Sequence, residues 1–162
     1  MKSLLEGPAL VLGDDVNTDV LHPSRFFSLD DDKVRRGFLG AVKGREAASE
    51  ADLGGRIVIG GHNFGIGSSR ETGAKVFLLA GIQAVVAVSF ARIFHRNVLN
   101  LGLPALACPA LADIDVEEGV TVQLDVNAGT LRVGSHRLTT EGLDPHWQRV
   151  LAAGGLAAWL EL

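Results

Sequence analysis

The stretch from residue 56 to residue 107 constrains the fold more than any other part of this 162-residue chain. Residues 56–60 (Arg-Ile-Val-Ile-Gly) read as a short, nearly all-apolar strand, and residues 83–88 (Gln-Ala-Val-Val-Ala-Val) as a second buried one. Between them, residues 71–80 predict a helix with Ala74, Phe77 and Leu78 on one face. Residues 91–101 predict another helix, and after Gly102 residues 103–107 predict a third strand. Strand–helix–strand–helix–strand is two right-handed crossover units, which build a parallel sheet covered by helices. The expected class is α/β.

The flanks are mixed. Residues 9–12 (Ala-Leu-Val-Leu) predict a strand that ends in the turn Gly13-Asp14-Asp15. Residues 17–23 are polar, and Pro23 halts any regular element. Residues 24–53 carry three consecutive aspartates, Asp30 to Asp32, beside Arg35 and Arg36, and show no long apolar period. They are expected to form a mobile loop with short helical pieces. Residues 120–126 alternate as a half-buried strand, and Asn127-Ala128-Gly129 turns the chain into a partner strand at 130–133. Residues 145–160 have helical period, broken or kinked at Gly154-Gly155. Without repeats or low-complexity segments, residues 1–162 are expected to form one domain.

Composition excludes several functions. Hydrophobic residues are 47% of the chain and the net charge is only −4, so disorder is not its main state. Fifteen Lys and Arg are outnumbered by nineteen Asp and Glu, and no basic run exceeds two residues, which argues against a nucleic-acid surface. Cys108 is the only cysteine, so there is no intrachain disulfide and no thiolate set for a structural zinc or iron–sulfur centre. Any metal cluster must be held by another chain. Near the N-terminus, Glu6 and Pro8 interrupt the apolar run after Lys2, so neither a signal peptide nor a membrane span is expected, and the expected location is the cytoplasm.

The sharpest local feature is Gly61-His62-Asn63-Phe64-Gly65-Ile66-Gly67-Ser68-Ser69-Arg70-Glu71, between a predicted strand and a predicted helix. Paired glycines allow a tight turn, and the helix end behind them offers free N–H groups and a positive dipole. Two hydroxyls and a guanidinium there suit a carboxylate or phosphate. A dinucleotide fingerprint fails, because Arg70 stands where a small residue is needed and no acid follows near residues 86–92. A P-loop fails on order and spacing. Ser68 to Glu71 also fits a capping box with Ser68 as N-cap. Pattern alone leaves capping and anion binding open, and adjacent serines can serve both.

Two other constellations carry less. Asp14, Asp15, Asn17, Thr18 and Asp19 crowd one turn, which reads as Asx-rich rather than as a calcium loop, since the required glycine and glutamate are missing. In residues 89–97, Ser89 reads as an N-cap and Phe90 with Phe94 as an apolar i,i+4 pair. Arg92 and Arg96 read as solvated cations, His95 as structural, and Cys108 as an inert buried thiol.

Taken in order, these segments say more. Asp-x-Asn-Thr-Asp, then Gly-x-Gly-Ser-Ser-Arg-Glu, then Ser-Phe-Ala-Arg-Ile-Phe-x-Arg-Asn, then Asn-x-Gly-Leu-Pro, spread over residues 13 to about 108, resemble the aconitase superfamily. The match is to the small subunits of 3-isopropylmalate dehydratase and homoaconitase. The resemblance implies a swivelling β/β/α three-layer domain with a partly parallel central sheet, docking on a large subunit. It places a [4Fe–4S] cluster on that large subunit and none on this chain. The implied reaction dehydrates and rehydrates a hydroxy-dicarboxylate.

By position, Ser68 matches the family's catalytic serine base, Ser69 and Arg70 match substrate-carboxylate ligands, and Asp19 matches the aspartate of the Asn-Thr-Asp motif. Phe26, Phe27 and Ser28 stand where relatives carry the loop that faces the variable substrate group, often a Tyr-Leu pair followed by an apolar residue or an arginine. Two phenylalanines and no arginine at Ser28 favour an apolar group, hence isopropylmalate in leucine synthesis. Arg35 or Arg36 swinging in from a mobile loop would instead suit homocitrate. Thr72-Gly73-Ala74-Lys75 departs from the His-Ala that often follows the arginine, which keeps another substituted malate open. The alternative from a different class is an inactive binding module with the same fold; the intact Ser68-Ser69-Arg70 speaks against it.

Overall fold

A computed structural model describes residues 2–45, 52–67 and 70–162. Seven strands form one mixed sheet in the order β4-β3-β2-β1-β5-β6-β7. β1 (Leu4–Val11) is the shared strand: Ala9, Leu10 and Val11 pair parallel with β2 (Ile57–Gly60), while Leu4 to Pro8 pair antiparallel with β5 (Thr121–Asp125). Parallel pairing continues through β3 (Ala84–Ala87) to β4 (Ala105–Ala107), and antiparallel pairing through β6 (Thr130–Val133) to β7 (His136–Thr139).

Every residue of β2 and β3 is buried, as strands covered on both faces require. On one side lie α3 (Thr72–Leu79) and α4 (Arg92–Asn100), the two crossover helices, joined by α5 (Pro145–Ala153) against α4. On the other side the antiparallel half curls back. Cys108 Sγ donates to Thr139 O at 3.5 Å, and Glu141 N donates to Ala107 O at 2.8 Å. β5 and β6 keep the in–out alternation expected of strands with one wet face, with Val122, Leu124, Leu131 and Val133 inward. The result is the expected three-layer β/β/α arrangement.

Most expected elements are present within a residue or two. β1 starts earlier than expected, at Leu4, and β7 and the small helix α1 (Thr18–Leu21) were not foreseen, whereas α2 (Asp31–Arg36) is one of the short helical pieces expected within residues 24–53. The C-terminal helical stretch does break at Gly154-Gly155, into α5 and α6 (Leu156–Leu160).

Three expectations need correction. Residues 24–53 were expected to lack a core pattern, yet Val34, Phe38, Leu39 and Leu53 are buried, and Phe38 packs edge-on to Phe77 with centroids 5.1 Å apart. Val34 and Phe38 stand i,i+4 across the end of one short helix, too brief a signal to stand out among acidic and basic neighbours. Residues 46–51 lie outside the described residues. The capping box is also wrong, because α3 starts at Thr72 with Glu71 as N-cap, which removes Glu71 from the third helical position. Nor does Ser89 cap α4, whose N-cap is Ala91; the Ser89 hydroxyl instead accepts from Asn63 N at 2.9 Å.

Candidate active site

The parallel pairing of β1 and β2 does not stop at the strand ends. Leu12 N donates to Ile59 O at 2.9 Å, Asp15 N to His62 O at 2.8 Å, Gly65 N to Val16 O at 2.8 Å, and Thr18 N to Ile66 O at 2.7 Å. Asn17 and Ile66 form a parallel bridge. Side chains reinforce the lacing. Asp14 Oδ1 accepts from His62 N at 2.7 Å, and Asp15 Oδ1 from Asn63 Nδ2 at 3.1 Å. The His62 backbone N–H, aided by its ring 3.3 Å away, holds the Asp14 carboxyl below its usual 3.8.

The glycine loop is laced on its other edge too. Phe64 N donates to Ser89 O at 3.0 Å and Ala91 N to Phe64 O at 2.9 Å, with a bridge between Phe64 and Phe90. Backbone bonds therefore join three motifs distant in sequence. Beneath them Phe64, Phe77 and Phe94 are buried and pack edge-on, their centroids 5.5 to 6.3 Å apart. Gly65 (φ +87°) passes so close to the Phe94 ring that no side chain fits there.

A narrow cleft, too tight to admit a water molecule, lies where the Asn-Thr-Asp turn meets the start of α3. It is lined by Thr18, Asp19, His22, Phe27, Arg70 and Thr72. Asn17 caps α1, its Oδ1 accepting from Asp19 N at 2.7 Å, which sets the exposed Asp19 carboxylate at the rim. An open depression of about 430 Å³ between Asp19, Pro23, Ser24 and Arg70 adjoins it and is where there is room for a ligand. The Arg70 guanidinium carbon lies 4.4 Å from the centroid of the Phe27 ring. An arginine at a helix N-terminus, partly laid on an aromatic face, is suited to a planar carboxylate.

His22, which the sequence did not single out, is part of this cleft. It is 1% exposed and its Nε2–H donates to Val34 O at 2.9 Å. Its ring stacks on Phe27, centroids 5.4 Å apart and planes 25° from parallel. Burial pushes its pKa below the usual 6.5, against the opposing pull of the Val34 carbonyl, so the ring is neutral at pH 7. Its buried Nδ1, and the buried Oγ1 of Thr72, have no hydrogen-bond partner among the described residues. Its position inside the turn, just before Pro23, was the only signal available.

Of the residues picked from sequence, Asp19, Phe27 and Arg70 meet at the cleft. Ser68 and Ser69 lie outside the described residues. Phe26 and Ser28 do not line the cleft: Phe26 sits under the Arg25 guanidinium at 4.7 Å, and the Ser28 hydroxyl accepts from Asp30 N at 3.0 Å. Arg35 and Arg36 occupy the last turn of α2, exposed and away from the lining. His95 is structural, its Nε2 bonded to Ala105 O at 2.8 Å and its ring on Phe90 at 4.7 Å. Cys108 is buried, and desolvation pushes its thiol up from 9.0. Among the described residues no group of three His, Cys, Asp or Glu could hold a metal ion, and no helix is long and apolar enough to cross a membrane.

The chain is similar to known proteins along nearly its whole length. Residues 44–111 match the aconitase C-terminal domain family. A 3-isopropylmalate dehydratase small subunit from Saccharolobus islandicus is 35% identical over 98% of this chain and 94% of its own length. One from Halothermothrix orenii is 37% identical over 94% of this chain and 92% of its own. The crystal structure of 3-isopropylmalate dehydratase from Methanocaldococcus jannaschii superposes with a TM-score of 0.88 at 30% identity, covering 98% of this chain and 93% of that one. With such identity sustained from end to end, the chain belongs to the family of 3-isopropylmalate dehydratase small subunits, hydro-lyase components of aconitase type.

Proposed function

We propose that this chain is the small subunit of a two-subunit hydro-lyase that converts 2-isopropylmalate to 3-isopropylmalate by dehydration and rehydration. The observation that carries the reading is the backbone lacing of the Asn-Thr-Asp turn to the glycine loop. It sets Asp19 and Arg70 around one cleft at the start of α3, where Ser68 and Ser69 immediately precede Arg70 in sequence.

In this reading Ser68 is the base that takes a proton from the substrate carbon. A free serine is far too weak a base, so its alkoxide form depends on nearby positive charge, here Arg70 and the dipole of α3. Ser69 and Arg70 hold a substrate carboxylate, the guanidinium through its two-pronged donor geometry. Asp19 acts by electrostatic positioning at the rim. The [4Fe–4S] cluster is assigned to a large-subunit partner: the one cysteine here is buried with a raised thiol pKa and has no companion ligands among the described residues. Arg35 and Arg36, held on α2 outside the cleft, and the absence of an arginine at Ser28 support an apolar side group over an extra carboxylate.

The test is anaerobic reconstitution with the cluster-bearing large subunit from the same organism, assayed with isopropylmalate, homocitrate and citrate, each subunit alone serving as control. Turnover of isopropylmalate alone is expected. A preference for homocitrate overturns the substrate, and silence on all three with an intact complex points to another substituted malate. Ser68→Ala is expected to lower turnover by about 10²- to 10⁴-fold, the range of a lost acid–base group. Near-normal turnover removes Ser68 from catalysis.

A further inference from the structure

Arg70 is exposed at the mouth of the cleft, and a long cationic side chain there has many rotamers to lose before it can grip a carboxylate. The structure supplies a device that reduces this loss. Phe27 lies under the guanidinium at 4.4 Å, and Phe27 in turn stacks on His22. His22 does not drift, because it is almost wholly buried and tied by Nε2–H to the backbone carbonyl of Val34 in α2. Buried Val34, and Phe38 just past the end of α2 and edge-on to Phe77, anchor that segment in the core. A continuous line of contacts thus runs from the hydrophobic core through His22 and Phe27 to Arg70.

We infer that Phe27 is a positioning residue for Arg70, holding the guanidinium in its carboxylate-binding pose through a cation–π contact that His22 backs from the core. The inference rests on the reading of Arg70 as a carboxylate ligand, and differs from a role for Phe27 in contact with the substrate's side group. A neutral imidazole suits the task, since a charged ring stacked on Phe27 would repel the guanidinium. The orphaned Nδ1 fits it as well: the ring is kept for its flat face and its one anchoring donor.

A double-mutant cycle on the reconstituted two-subunit enzyme tests this. Phe27→Leu, with Phe27→Met as a second variant should the first fold poorly, is expected to raise KM for isopropylmalate about 2- to 5-fold with little change in kcat, the size of an exposed cation–π contact. Phe27→Tyr, which keeps the ring, is expected to retain the wild-type KM. In an Arg70→Gln background Phe27→Leu is expected to leave kcat/KM unchanged, because there is no guanidinium left to position. The same loss in both backgrounds shows that Phe27 acts on substrate directly and overturns the inference, as does no loss in either. Arg70→Gln with normal kcat/KM brings down the carboxylate role itself, a separate result that does not depend on Phe27.

Discussion

Asn17 and Gly67 occupy one another's space: the Asn17 side-chain oxygen lies where a Cβ on residue 67 would have to go. That oxygen is already used, accepting from Asp19 N to cap α1. Gly67 also has φ +109°, a conformation that side-chain-bearing residues avoid. Turn and loop can close on each other only because residue 67 is glycine. Gly67→Ala is therefore expected to destabilise the fold by about 1–3 kcal/mol from backbone strain, with further loss as Asn17 is displaced. Urea unfolding checks it, and a variant within about 0.5 kcal/mol of wild type means the contact is easily relieved.

His22 gives a pH signature. Its pKa is depressed in the folded protein, so the unfolded chain binds the extra proton more readily. The sign follows: its contribution is fully present above about pH 6.5, is lost as pH falls through the depressed folded value, and is constant below that. Thermal unfolding of wild type and His22→Gln between pH 8 and pH 5 should show the wild type losing more stability toward acid. Parallel curves mean that other groups set the acid limb.

Phe38 tests whether the segment before residue 45 belongs to the cooperative core. It is 1% exposed and packs against Phe77. Phe38→Ala is expected to cost about 3–5 kcal/mol, as for other buried aromatics cut to alanine. A cost below about 1 kcal/mol would mean that this segment folds over the core as an independent flap, and denaturant titration distinguishes the two.

Cys108 should be silent in the native state. It is buried, and desolvation raises its thiol above the ordinary value. A thiol reagent at pH 8 is expected to label it only at the rate of unfolding and stoichiometrically in denaturant. Rapid native labelling contradicts the curled packing of the 136–141 segment over β4.

The central β-α-β-α-β run was readable because Ile57–Gly60 and Ala84–Ala87 are short, apolar and β-branched, flanked by glycines and helical spacing. Asp19, Phe27 and Arg70, which meet at the cleft, were readable as candidates only through the ordered set of motifs around them. His22 and the buried anchors Val34 and Phe38 were not, because one histidine and one i,i+4 pair among charged neighbours carry no periodicity. The two misplaced caps fit local helix signals that the fold does not use: α3 begins later, at Thr72, and the Ser89 hydroxyl binds Asn63 N in the lacing of the glycine loop instead of capping α4.

By itself, then, the sequence determined the alternation of strand and helix, the absence of any cysteine set for a cluster, and the order of the motifs, because these rest on local spacing and composition. The tertiary structure alone decided that the Asn-Thr-Asp turn, the glycine loop and residues 89–91 touch, and that a buried histidine and Phe27 stand behind Arg70. Those contacts join residues tens of positions apart, and only the sheet register and the packed core bring them within hydrogen-bonding or stacking distance.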